Sequence, residues 1–104
     1  SNSRLTDYLK RNYMRPISLR EAAGIANMSE SHLSYIFKKE TGKSFVEFMT
    51  SLRIEKAVEL LRTTSLTNAE IARQVGYDNI NYFGRAFKKV TGFSPTRYKE
   101  IVKK

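Results

Sequence analysis

The chain of 104 residues has no cysteine and a single histidine, His32. Without thiols there is no disulfide framework, no thiolate metal site and no cysteine nucleophile, and one imidazole is too few for a His-based metal cluster. Apolar runs extend over only a few residues. They fall short of the roughly 20 that a membrane-spanning helix needs, and of the apolar centre of a signal peptide. No stretch alternates convincingly as a strand. There is no nucleophile–base pair and no glycine loop to cradle phosphate, so the expectation is a non-enzyme with no cofactor and no metal. Acid is scarce as well. Asp and Glu total 10 against 19 Lys and Arg, which leaves a formal net charge of +9. The sequence pI is about 10.0. On so small a body that balance favours a polyanionic partner, nucleic acid first, with an acidic membrane surface or an acidic protein as the other carriers.

What is present suffices for a packed fold. Hydrophobic residues make up 40% and aromatics 12% of the chain, which argues for one small domain, or two very small ones sharing a core, and against disorder. The basic excess is distributed: residues 1–52 hold 8 basic and 5 acidic side chains, and residues 53–104 hold 11 and 5. It is not a basic tail, although Lys103 and Lys104 close the chain. The start at Ser1-Asn2, without methionine, reads as a piece cut from a larger parent, in a soluble, cytoplasmic setting.

Self-similarity is the strongest internal signal. FKKETGKS at residues 37–44 recurs as FKKVTGFS at residues 87–94, an offset of 50. Upstream, Ala23-x-x-Ala26-x-Met28-Ser29 matches Ala72-x-x-Val75-x-Tyr77-Asp78 at an offset of 49, so one extra residue lies between Asp78 and Phe83. Two copies are too few for a solenoid and read as one motif used twice.

Each copy carries the punctuation of two helices joined by a tight turn. Ser18-x-x-Glu21 forms a capping box that opens a helix reaching about Ala26. Asn27 and Met28 make the turn, Ser29 caps the next helix, and Gly42 stops it. In the second copy Thr67-x-x-Glu70 is the capping box, Gly76 takes the turn, Asp78 or Asn79 caps, and Gly92 terminates. Between the copies Ser44-x-x-Glu47 starts a long helix ending near Arg62. Its apolar positions Phe45, Phe48, Met49, Leu52, Ala57, Val58, Leu60 and Leu61 wrap much of the surface, as in a buried connector. A leading helix covers roughly residues 4–13 and stops before Pro16. Ser94-Pro95 opens a last helix through Val102. The predicted fold is all-α with seven helices. Its segments are a first helix-turn-helix at about 18–42, a linker helix at 44–63, a second helix-turn-helix at 67–92 and a last helix at 95–102.

A 100° wheel separates two faces on the second helix of each copy. Ile80, Phe83, Phe87 and Val90 form the expected core side of one, and Leu33, Ile36 and Phe37 that of the other. Opposite them fall Asn81, Arg85 and Lys88, flanked by Tyr82 and Lys89, and in the first copy Ser31, Tyr35 and Lys38. These are donors, planar groups and cations, the composition that a major groove receives. There Arg pairs bidentately with guanine and Asn with adenine. Lys38, Lys39, Lys88 and Lys89 are placed to neutralise phosphates, with helix starts at Ser29 and Asn79 as further phosphate donors. His32 is read as a surface residue near phosphate. Tyr35 and Tyr82 suit base contact and rim packing about equally. Gly84, inside a helix, costs roughly 1 kcal/mol relative to Ala, and close approach of either a neighbouring helix or DNA would account for it. A helix over residues 45–62 is about 27 Å long. Successive groove faces on one side of DNA lie about 34 Å apart, so one monomer is suited to two adjacent groove segments.

From about residue 5 to residue 98 the chain closely resembles the DNA-binding domain of the AraC/XylS family of bacterial transcription regulators. The likeness is strongest in Arg53-Ile54-Glu55-Lys56-Ala57 with Leu60-Leu61, and in Ile71-Ala72 through Val75-Gly76-Tyr77. It continues through Tyr82-Phe83, Arg85, Phe87-Lys88-Lys89, Gly92 and Ser94-Pro95 to Tyr98. The resemblance implies two helix-turn-helix motifs joined by a long helix and binding to promoter DNA. It implies that Ser31, Ser34 and Tyr35 face bases in the first copy, and Asn81, Tyr82 and Arg85 in the second. Tyr35 stands where family members often have arginine, so the first copy is expected to discriminate bases less. Ala22 stands where a larger aliphatic is common, and looser packing is expected there. The alternative function is a protein-interaction module contacting RNA polymerase or a sensor domain. RNA binding is a weaker rival, because the aromatic sheet platform of common RNA readers is missing. The fragment is expected to be a monomer, with a dimeric state open to the parent.

Overall fold

The computed structural model describes residues 3–103; Ser1, Asn2 and Lys104, which the sequence reading assigned to the fragment's ends, lie outside them. Every regular element among the described residues is helical. The order is α1 (Ser3–Asn12), α2 (Leu19–Ala26), α3 (Glu30–Thr41), α4 (Phe45–Thr63), α5 (Asn68–Gln74), α6 (Ile80–Thr91) and α7 (Pro95–Val102). The residues up to Leu52 form one compact unit and those from Arg53 onward a second, the boundary falling inside α4.

The first unit is built on Leu5 and Leu9 of α1, Ala22 and Ala23 of α2, Leu33 and Phe37 of α3, and Phe45 and Met49 of α4. Phe37 meets Phe45 and Phe48 edge-on, with ring centroids 5.7 and 4.9 Å apart. Each such pair adds about 0.5–1.5 kcal/mol beyond the area it buries. In the second unit Ile54, Ala57 and Leu61 of α4 pack in a core with Ile71, Ala72, Val75, Tyr77, Phe83 and Phe87. Its aromatic rings run in sequence, Tyr77 to Phe83 at 5.6 Å, Phe83 to Phe87 at 5.8 Å and Phe87 to Tyr98 at 5.5 Å.

The second helix of each motif, α3 and α6, is 12 residues long, and the two are closed alike. Ser29 Oγ accepts the N–H of His32, and Asn79 Oδ1 accepts those of Asn81 and Tyr82, so Asn79 and not Asp78 is the cap. Left-handed Gly42 and Gly92 end the helices. The hydroxyls of Thr41 and Thr91 donate back to the carbonyls of Phe37 and Phe87 and accept the N–H of Lys43 and Phe93. Before each cap the chain turns on a single residue of positive φ, Asn27 at 57° and Gly76 at 102°. Asn fits the first value, which lies in the small left-handed basin open to side chains; the second lies beyond that basin and calls for glycine. Met28 N–H reaches Ala23 O at 3.0 Å and Tyr77 N–H reaches Ala72 O at 2.8 Å. The turns are therefore equivalent at offset 49 and the caps at offset 50, which identifies Asp78 as the extra residue.

Two expectations need correction. Ile80 and Val90 are not core; they are 46% and 44% exposed, and α6 buries only Phe83 and Phe87. The wheel gives an angle but no axial coordinate, and these residues lie near the two ends of the helix, outside the layer that Phe83 and Phe87 fill. The capping box at Ser18 is only half made. Ser18 Oγ accepts the N–H of Glu21 at 3.0 Å. The Glu21 carboxylate instead accepts from the Tyr8 hydroxyl at 2.7 Å and pairs with the Arg15 guanidinium. Two side-chain donors, one of them a cation, outcompete a single neutral backbone N–H. Complete boxes form at Ser44 with Glu47 and at Thr67 with Glu70.

The hydrogen bonds from Arg15 and then Tyr8 hold Glu21 below the usual carboxylate range, while the bond to Glu21 raises the Tyr8 phenol. A depressed folded value means that the contribution is complete above the ordinary glutamate range and is lost as pH falls through the lowered value. Urea titrations down through that acidic window should therefore show a steeper fall in stability for the wild type than for Glu21→Gln. Parallel curves would remove Glu21 from the acid response.

Candidate nucleic-acid interface

The outward face of α3 forms one wall of an open groove in the first unit, lined by Leu19, Glu30, Ser31, Ser34, Tyr35, Lys38 and Lys39. Ser31, Ser34 and Tyr35 thus share one exposed surface, with Tyr35 62% exposed. The Lys39 ammonium sits 5.8 Å from the centre of the Tyr35 ring, which biases the phenol's orientation from one side. Lys38 lies 3.9 Å from the Glu47 carboxylate, an exposed pair of little strength that leaves the lysine able to exchange partners. Sequence reasoning missed Leu19 and Glu30 as groove residues. Glu30 was legible as the residue just after the Ser29 cap, beside Ser31. Leu19 comes from a different helix, so spacing within α3 carried no signal for it.

On α6, Asn81, Tyr82, Arg85, Lys88 and Lys89 are all exposed. The Tyr82 ring lies 6.0 Å from that of Tyr77, tilted by 31°, while 59% of Tyr82 remains exposed. It therefore packs at the rim on one side and leaves the other side exposed. Among the described residues, the side chains of Asn81, Arg85, Lys88 and Lys89 make no hydrogen bond or ion pair. The caps consume the backbone N–H groups of His32, Asn81 and Tyr82. What Ser29 and Asn79 can still offer an anion is a hydroxyl hydrogen and a side-chain amide. Among the described residues no cluster of acidic or imidazole groups is placed to hold a metal ion, and no helix is long and apolar enough to cross a membrane.

Residues 22–101 match a family model described as a helix-turn-helix domain. The arabinose operon regulatory protein of Escherichia coli K12 is 40% identical over 72 residues, 69% of this chain and 25% of that protein. Among solved structures, the C-terminal domain of AraT, a response regulator from Geobacillus stearothermophilus, matches with a TM-score of 0.87 at 40% identity. That match covers 94% of this chain and 82% of the other. The DNA-binding domain of AdpA, solved in complex with a target DNA, matches with a TM-score of 0.86 at 21% identity over 93% and 87% of the two chains, a likeness of fold. The chain spans 30%, 31% and 47% of the length of three curated relatives. With seven helices among the described residues, arranged as two helix-turn-helix motifs, and this range of matches, the chain belongs to the AraC family of helix-turn-helix DNA-binding domains found in transcription regulators.

Proposed function

We propose that this chain reads base sequence in double-stranded promoter DNA, with α3 and α6 in adjacent segments of the major groove. The observation that carries the reading is the pair Asn81 and Arg85, one turn apart on the exposed face of α6. Both are fully available for base edges. Tyr82 joins them, and Ser31, Ser34 and Tyr35 form the corresponding face of α3. Ser29, His32, Lys38, Lys39, Asn79, Lys88 and Lys89 hold phosphates and fix register without choosing sequence. Serine and tyrosine make fewer bidentate contacts than arginine, so α3 discriminates less than α6. The AdpA domain, whose fold this chain shares, was solved on a target DNA, which supports the same use here.

The two units act as one DNA-binding module within a larger regulator working in the bacterial cytoplasm. The module is monomeric alone and is paired when its parent dimerises. Contact with RNA polymerase or a sensor domain is a separate role for faces outside α3 and α6, where Val46 and Phe93 are exposed.

Selection on a randomised duplex library at physiological salt tests the reading. Two enriched blocks about one helical turn apart are expected, with affinity falling steeply as salt rises, by a log–log slope of about −0.9 for each phosphate contacted. A single block would restrict base reading to one helix. Salt-sensitive binding with no enriched block would overturn base reading altogether.

A further inference from the structure

Gly84 stands in the interior of α6, where neither backbone nor packing requires a glycine. It is absent from the residues of positive φ. A Cβ built on it meets nothing within 4 Å. A neighbouring helix therefore does not explain it, and its helix-propensity cost is uncompensated inside the protein. One turn earlier Ile80, the first residue of α6, is 46% exposed where an apolar side chain would gain by burial. Either feature alone would be ordinary, since single exposed aliphatics are common on protein surfaces.

Their relation is what matters. Residues i and i+4 are neighbours on a helix, and each Cα–Cβ bond leans toward the N-terminus. Any side chain at 84 would therefore lie over the space between Ile80 and Asn81. Its absence leaves a notch with Ile80 on one side, Asn81 and Arg85 along another, and Lys88 a turn below. The first unit has no counterpart: the offset of 50 puts Glu30 and Ser34 at the two positions, a carboxylate and a hydroxyl, both exposed.

Resting on the base-reading proposal above, we infer that the notch formed by Ile80 and Gly84 receives the 5-methyl group of a thymine. That methyl is the one apolar group that a base pair displays in the major groove. The notch has an apolar wall, room for a small group, and flanking Asn81 and Arg85 to engage the neighbouring edges. Ile80 and Gly84 thereby become specificity residues of the second unit, and the first unit lacks the corresponding preference.

Deoxyuridine scanning tests this with the intact chain and a duplex taken from the randomised selection. Each thymine in the block assigned to α6 is replaced singly by deoxyuridine, which removes one methyl and nothing else. One position should lose about fourfold in affinity, the worth of one buried methyl. With Ile80→Ser the same replacement should have no effect. Gly84→Ala should melt a few degrees higher than the wild type, yet bind the thymine duplex no better than the wild type binds the deoxyuridine duplex. The raised melting point shows that the loss is not misfolding. An α6 block without a fixed thymine, a methyl effect that persists in Ile80→Ser, or full affinity in Gly84→Ala each overturns the inference and leaves base reading by Asn81 and Arg85 intact. Absence of any enriched block is the distinct signature that overturns both.

Discussion

Replacing Phe87 with alanine is expected to cost about 3–5 kcal/mol, the range for truncating a buried aromatic ring. Phe87 is fully buried, and its ring lies between those of Phe83 and Tyr98. Its carbonyl also receives the Thr91 hydroxyl that closes α6. The side chain thus joins α6 to α7 and anchors the helix that presents Arg85. A domain of this size has about 5–15 kcal/mol in total, so the variant should be largely unfolded at temperatures the wild type tolerates. Urea denaturation measures the loss, and hydrogen exchange locates it. Because the first unit has its own core around Leu33 and Phe37, protection should fall first in α5, α6 and α7. A loss below about 1 kcal/mol, small for any core truncation, would mean that Phe87 does not anchor the second unit.

The second large effect concerns binding. Arg85→Ala should cost about 1–3 kcal/mol at the base pair Arg85 contacts and relax selectivity there. The side chain is exposed and makes no hydrogen bond or ion pair with any described residue. Truncating it therefore breaks nothing in the fold, and the whole loss should appear in affinity. Lys88→Ala, one turn along, provides the contrast: a uniform loss on all sequences, with the salt slope reduced by about one. Measuring each variant on matched and single-mismatch duplexes separates the two roles. Equal losses for Arg85→Ala on both duplexes would reassign it to phosphate.

The caps, the left-handed stops and the doubled motif were legible because each depends on neighbours within a few residues. Ser29, Thr67, Gly42 and Gly92 stand where the sequence puts them, and the mismatch between offsets 49 and 50 is the single residue Asp78. What escaped depended on groups distant in the chain. Glu21 left its capping box for Tyr8 and Arg15, 13 and 6 residues away. Ile80 and Val90 had the angle of core residues, but the core layer does not extend to them. Leu19 lines the groove of α3 from another helix. The exposed faces of α3 and α6 were readable from composition, because a helix that buries Phe83 and Phe87 must turn Asn81 and Arg85 outward.

The matched closure of α3 and α6 bears on how a base-reading face of the kind proposed changes its preferred site. Each helix is held at its start by a cap, at its end by a left-handed glycine, and behind by a threonine hydroxyl. None of those contacts uses the side chains of Ser31, Ser34, Tyr35 or Arg85. Exchanges at such exposed positions typically alter stability by no more than about 0.5 kcal/mol. Under the proposed base reading, the preferred DNA site can therefore change by single replacements that leave the domain folded, while the parts that aim the helix stay under a separate selection.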